Sequence, residues 1–371
     1  MSSGRTTSVG GGTLCQILEI RYPIILAGMG GASGPELAAA VSNAGGLGVL
    51  GAAMQEPEGL DEWIRRTKSL TSEPFGVDTL LPARVPEDLT EEQLRAAIPN
   101  GYLDGVADIR EQFGLPADAD LKPLFPALSK AFFDRQLEVV MDHRVPVYAA
   151  GLGDPARYVE EFHRRGTKVI GVVGNVRNAS RVAEGGSDVI VAQGHDGGGH
   201  NSPVGTLALI PQVVDAVGGR AAVVAAGGIG DGRGIVAAMA LGASGVWMGT
   251  RFLGTEEANI PDGQKKQLLE ASDQDTMVTR FVTGKPVRML RSGLPPAFES
   301  RGLPPLPFPQ MGLVSGPLLG GAERVGRYDL SPGAAGQVAG MINSIQPAGE
   351  VVAQLVREAA EALERLGGTT L

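Results

Sequence analysis

Residues 221–250 read AAVVAAGGIGDGRGIVAAMALGASGVWMGT. A short apolar run (221–226) ends at Gly227-Gly228, a helical pattern fills 232–242, and a second run (245–249) ends at Gly249-Thr250. Neither run alternates polar with apolar, which is the pattern of strands covered on both faces, and a helix between two such strands is the parallel crossover unit. The unit recurs upstream. Candidate strands at 23–27, 47–52, 75–81, 145–150, 168–173 and 187–193 are followed by helical patterns at 34–44, 59–70, 154–165, 176–185 and 207–217. Eight strand-then-helix units predict an α/β fold, a (β/α)8 TIM barrel. A doubly wound open sheet can be drawn from the same string; the barrel is the reading adopted.

The regular spacing breaks once, at 82–138, between the third and fourth strands. This insertion carries amphipathic helix patterns near 90–98 and 126–140, and over a barrel's C-terminal face it is either a lid or a surface excursion. Residues 1–14, small and polar, are expected to be a disordered N-terminus, 15–260 the barrel, and 261–371 a wrapping segment with a terminal helix. Within that last part, 293–336 is rich in Gly and Pro and reads as an extended loop. The apolar face of 349–366 suits docking on the barrel or on a second copy of the chain, as in a homodimer.

Only 5% of the 371 residues are aromatic while Gly numbers 55, so the interior must be built from Val, Ile, Leu and Ala with many tight turns. A net charge of −9 without a Lys/Arg block excludes a nucleic-acid surface. No apolar stretch approaches the ~20 residues that span a bilayer, so no membrane role is expected. Cys15 is the single cysteine, which rules out an internal disulfide or a Cys-based zinc cage and fits a cytoplasmic setting. No metal site is expected.

The ends of the strands carry the chemistry. Gly227-Gly228 and Gly249-Thr250 follow the last two strands, where barrels commonly bind phosphate. Bare backbone N–H groups close on an anion, a helix starting near Gly232 adds favourable potential, and the Thr250 hydroxyl is a further donor. The plainer reading is that these glycines only permit tight turns. The densest cluster follows the sixth strand, Gln193-Gly194-His195-Asp196-Gly197-Gly198-Gly199-His200. Packing does not explain a strand that ends in a polar residue, then glycines, then His. An imidazole beside bare backbone suits proton transfer. His200 is the candidate, with His195 turned outward; His143 and His163 lie in helical segments and read as structural. At the first strand's end, Ala27-Gly28-Met29-Gly30-Gly31 lets a flat ring lie against the main chain, or simply makes a turn before a helix. Asp78, inside the run FGVDTLL, needs a partner, which a flavin ring N–H or a salt bridge within the barrel would equally supply.

PIILAGMGGASGPELAAAVSNAGGLGVLG (23–51), FGVDTLL (75–81), VIVAQGHDGGGH (189–200) and VVAAGGIGDGRGIVAAMALGASGVWMGTRFLGTEE (223–257), with VRMLR at 287–291, closely resemble the nitronate monooxygenase family, in both combination and order. The resemblance implies non-covalent FMN and the oxidation of an alkyl nitronate by O2, a small-molecule reaction yielding a carbonyl compound and nitrite. It implies that Ala27, Gly28 and Met29 line the flavin and that Gln193 approaches its ring. It further implies that Gly227, Gly228, Gly249 and Thr250 hold the phosphate and that Gly199 lies beside the cofactor. His200 matches the histidine assigned as base on neutral nitroalkanes. Two departures bear on function: Asp78 stands where relatives often have Asn, and Asp196-Gly197-Gly198-Gly199-His200 replaces a Glu-Ala-Gly-Gly-His run. An ionised Asp78 would only accept hydrogen bonds, so its contact with the cofactor would have to change. A flavin-dependent enoyl or acyl-thioester reductase or dehydrogenase using NAD(P)H is the runner-up, and a non-catalytic flavin-binding module is a third reading.

Overall fold

The computed structural model describes residues 12–81, 91–116 and 130–367. Eight parallel strands are arranged around a barrel: β1 (Ile24–Leu26), β2 (Gly48–Gly51), β3 (Phe75–Leu80), β4 (Val147–Gly151), β5 (Lys168–Val173), β6 (Val189–Gln193), β8 (Ala222–Ala226) and β9 (Gly245–Met248). A two-residue strand, β7 (Gly199–His200), lies outside the barrel and pairs antiparallel with β11 (Val287–Leu290), itself paired with β10 (Thr276–Thr279). The barrel order is β1-β9-β8-β6-β5-β4-β3-β2. It closes where Leu26 N donates to Leu47 O and Leu47 N to Ile24 O, both at 2.9 Å. The predicted strands and crossover helices are therefore found where the apolar periodicity placed them, with ends shifted by a residue or two.

The strands do not alternate polar with apolar because each serves two cores. Ile25, Leu47, Val49, Val147, Ala149, Ile170, Val189, Val191, Val224 and Trp247 pack together inside the barrel. Their neighbours Ile24, Leu50, Val77, Tyr148, Val169, Ile190, Val223 and Val246 pack under the helices. The interior also takes in Leu14, Cys15 and Leu18 from the helix Thr13–Leu18. The expected disordered start therefore ends sooner than residue 14: Leu14 is fully buried, and burying a Leu is worth about 1.5–3 kcal/mol. The rest of that stretch, 1–11, lies outside the described residues.

The described part of the insertion forms the helices Glu91–Ala96, Asn100–Phe113 and Lys130–Asp142; 82–90 and 117–129 lie outside the described residues. Tyr102, Val106 and Ile109 share a cluster with Phe281, Phe298, Met311, Val314 and Leu318, so the insertion packs on the C-terminal segment. That segment is not the extended loop expected of 293–336. It contains the helices Leu294–Glu299 and Gln310–Arg324, the second with Pro317 inside it. Met311 through Leu318 are all buried, so tertiary packing outweighs the poor helix propensity of Gly312, Gly316 and Pro317.

The terminal helix Ala348–Gly367 docks on the barrel helices Gly232–Ala240 and Pro35–Asn43, burying Val351, Val352, Leu355 and Ala359. The apolar face predicted for it is thus spent within the chain. Glu358 Oε2 accepts from Gly232 N at 3.0 Å, and Arg251 donates to Gln346 Oε1 at 2.9 Å. Among the described residues no helix is long and apolar enough to cross a membrane. A Cβ at Gly232 would lie 2.2 Å from Ala359 N. Gly232→Ala is therefore expected to lift the terminal helix and cost about 1–3 kcal/mol in denaturant unfolding, as overpacking does. Unchanged stability would show that the helix does not depend on this contact.

Candidate functional site

Parallel strands all end on one rim, so residues far apart in sequence converge there. Ala27, Gly28 and Met29 follow β1, Asp78 lies near the end of β3, Gln193 ends β6, and the two glycine turns follow β8 and β9. Contacts join several of them. A Cβ at Gly28 would fall 2.3 Å from Asp78 Oδ2, so only glycine admits this carboxyl. At Gly249 it would meet Met29 Sδ at 3.3 Å and Ala27 Cβ at 3.4 Å.

Asp78 follows Gly76, whose missing Cβ faces the interior residues Val49 and Val147, and alternation turns Asp78 to the same side. Its Oδ1 is sealed from solvent and has no hydrogen-bond partner. The salt bridge within the barrel that the sequence left open is absent at this oxygen. Desolvation pushes the carboxyl well above the usual carboxylate range, against a weaker pull from the Gly151 backbone. The ionised form of Asp78 is thus disfavoured. A neutral acid has a donor as well as acceptors, much as an amide does.

His200 sits in β7 opposite Val287 of β11. Gln193 Nε2 donates to its carbonyl at 2.9 Å, and the ring Nε2 lies 3.0 Å from Thr283 Oγ1. Burial first, and then the charge of Lys285, lower its pKa to about 4, so the imidazole is neutral near neutral pH. Gly199, at φ +74°, makes the turn into this strand with open space where a Cβ would be. His195 is held apart, its Nδ1 2.8 Å from Ser202 O. His143 and His163 pair with Asp61 and Asp188, each at 2.8 Å, away from the rim.

The glycine turns are backed by contacts the sequence reading missed. Gly228 packs against Asp196, whose Oδ2 accepts from Thr206 N at 2.8 Å. Thr250 Oγ1 accepts from Gly336 N at 2.8 Å, and Gln337 N donates to Asp196 O at 3.0 Å. The helix beginning at Gly232 does not offer the anion site expected of it. Asp231 accepts from Arg233 N and Gly234 N, and Glu358 takes Gly232 N. Any anion there is left with the turns at Gly227-Gly228 and Gly249-Thr250. Asn201 holds the glycine run through His195 O (2.7 Å) and Gly197 O (3.1 Å), and Arg288 Nε reaches His195 O at 3.2 Å. VRMLR was visible as a motif; Thr283, Lys285, Asn201 and Gly336 carried no signal of their own.

The family model described as nitronate monooxygenase matches residues 12–358. A Mycobacterium tuberculosis protein named "Putative monooxygenase Rv1533" is 38% identical, covering 90% of this chain and 93% of its own. A hydroxy-methyl-oxo-octahydroindene carboxyl-CoA dehydrogenase of Rhodococcus jostii is 35% identical over 78% of this chain and 68% of its own. The crystal structure of a nitroalkane oxidase from Streptomyces ansochromogenes superimposes with a TM-score of 0.82 at 31% identity, covering 95% of this chain and 99% of that one. Barrel, rim and relatives together define a flavin oxidoreductase. The chain belongs to the nitronate monooxygenase family.

An NMR titration of His200 is expected to show a midpoint about 4, not the ordinary 6.5. The unfolded chain takes up this proton below about 6.5 and the folded chain only below about 4. His200 therefore contributes stability above that window that is lost as pH falls through it. A midpoint at 6.5 would place the ring in open solvent.

Proposed function

We propose that the protein is an FMN-dependent nitronate monooxygenase, oxidising alkyl nitronates with O2 to a carbonyl compound and nitrite. The observation that carries this reading is a partly buried imidazole anchored by Thr283 beside strand ends of bare main chain, together with a carboxyl that has one unpartnered oxygen. The residues fit a flavin. Asp78 Oδ1 lacks a partner, and Gly199 leaves space beside His200. In this reading Ala27, Gly28 and Met29 back the ring, Asp78 and Gln193 meet its polar edge, Gly199 lies beside it, and Gly227, Gly228, Gly249 and Thr250 hold the phosphate. FMN, when bound, supplies the electron acceptor and the site of oxygen chemistry.

The chain's own contribution is binding, orientation and control of a proton. Gln193, through the His200 carbonyl, and Thr283, through its ring, fix the imidazole from two sides. A histidine whose pKa is about 4 is neutral near neutral pH, so its one N–H can donate to an anionic oxygen while the ring is a weak base. That suits a substrate already deprotonated at carbon, a nitronate, better than the neutral nitroalkane. For the nitroalkane, His200 Nε2 or Nδ1 must take the α-proton; for the nitronate it only orients.

His200→Ala is accordingly expected to lower nitroalkane turnover by roughly 10²–10⁴-fold while largely sparing nitronate turnover. Equal losses on both substrates would remove the base role. Asp78→Asn should retain flavin at the wild-type stoichiometry, read from the absorption spectrum, while Asp78→Leu loses it. Retention by the leucine variant would detach Asp78 from the cofactor. The decisive experiment is anaerobic addition of propyl-2-nitronate to the purified protein. Bleaching of the flavin band followed by nitrite on admitting air supports the proposal, and an unchanged spectrum ends it.

The Rhodococcus relative, named for a CoA thioester, favours one alternative, a flavin-dependent acyl-thioester reductase or dehydrogenase using NAD(P)H. Steady NAD(P)H consumption with an enoyl thioester, without nitrite from nitronates, would select it.

A further inference from the structure

Lys285 lies at the entrance to β11, where the ladder to β7 fixes its place relative to His200. Val287 pairs with His200, and Asn201 N donates to Pro286 O at 3.0 Å. The Lys285 backbone N donates to Thr283 Oγ1 at 3.3 Å, the same oxygen that lies 3.0 Å from His200 Nε2. One hydroxyl therefore ties the imidazole and the main chain of Lys285 to a single local frame. The ammonium lies 4.5 Å from the centroid of the Phe308 ring, on a partly buried side chain. Among the described residues no carboxylate pairs with it. Its neighbour Arg288 is already committed to His195 O and Thr276 Oγ1, with Asp196 as the nearby negative charge.

A partly desolvated cation without a counter-ion is costly, and an aromatic face only partly offsets that cost. The imidazole of His200, neutral or protonated, cannot compensate it. The positive potential is thus left for something outside the protein, in a chain whose net charge is −9. We propose that Lys285 is the substrate's anion anchor, binding the two charged oxygens of a nitronate beside His200. The proposal rests on the nitronate reading for the identity of the anion, but not for the existence of the site. It gives that reading a source of discrimination. The nitronate and its parent nitroalkane share a skeleton, and only the first carries the charge that the ammonium recognises. The positive charge also disfavours protonation of His200, so the same lysine helps keep the imidazole neutral.

The test is calorimetric titration of the full-length protein with propionate, a planar two-oxygen anion, and with propionamide, its neutral isostere. Lys285→Met and Lys285→Gln should weaken propionate binding about tenfold or more, with propionamide unchanged and with Lys285→Arg close to wild type, since one charge-assisted contact is lost and restored. In turnover, Lys285→Met should raise the KM for propyl-2-nitronate about tenfold with little change in kcat, the pattern of an interaction made equally in the ground and transition states. Wild-type protein with no preference for propionate over propionamide overturns the proposal. So do neutral variants that bind propionate as wild type does, or that lose both ligands equally. Charge discrimination in the titration without nitrite from nitronates would keep Lys285 as an anion anchor and remove the nitronate reading instead.

Discussion

The short antiparallel ladder between Gly199–His200 and Val287–Arg288 is the contact on which the site depends. A run of glycines cannot hold an imidazole by itself, since each residue has the most backbone freedom to lose. The ladder supplies the missing constraint from nearly ninety positions downstream, and it brings Thr283, Lys285 and Arg288 along with it. Asn201 and Gln193 then tie the run from below, and the Ala335–Gln337 turn closes over it. The barrel provides a rim, and the C-terminal segment packs against the glycine run beside it.

Enclosure sets the electrostatics. Two of the titratable groups at the rim, Asp78 and His200, are driven toward their neutral forms by the same cause, removal of water. Neutral groups there keep both donor and acceptor capacity, which suits recognition of a polar ring better than fixed charges of one sign would. For an anion, the groups proposed are the backbone turns and Lys285. The N-terminus of the helix at Gly232, which appears at first sight the natural anion site, is consumed in securing the terminal helix through Glu358. That helix end serves the fold and is not open to a ligand.

Asp78, set against an Asn by the sequence resemblance, illustrates how environment redefines a side chain. In water the two differ by a charge. Sealed beside Gly28 and within reach of Gly151, the carboxyl favours the protonated form and approaches an amide in hydrogen-bonding capacity.

The barrel was legible in the sequence because its strands are continuous apolar runs and its helices are periodic, both local consequences of burial on two faces. Gln193, His200 and the glycine turns could be picked out as candidates, since a polar residue amid bare backbone at a strand end has no packing rationale. The helix at 310–324 was not legible, because its Gly and Pro argue against a helix and only the cluster around Phe298 and Met311 reverses that balance. Nor were the partners of His200: Thr283 and Lys285 sit in an ordinary polar turn until pairing with β7 delivers them. Local composition determined which residues could form elements and which could do chemistry. Long-range packing decided which of them meet, because burial and charge state depend on neighbours that the order of residues along the chain does not reveal.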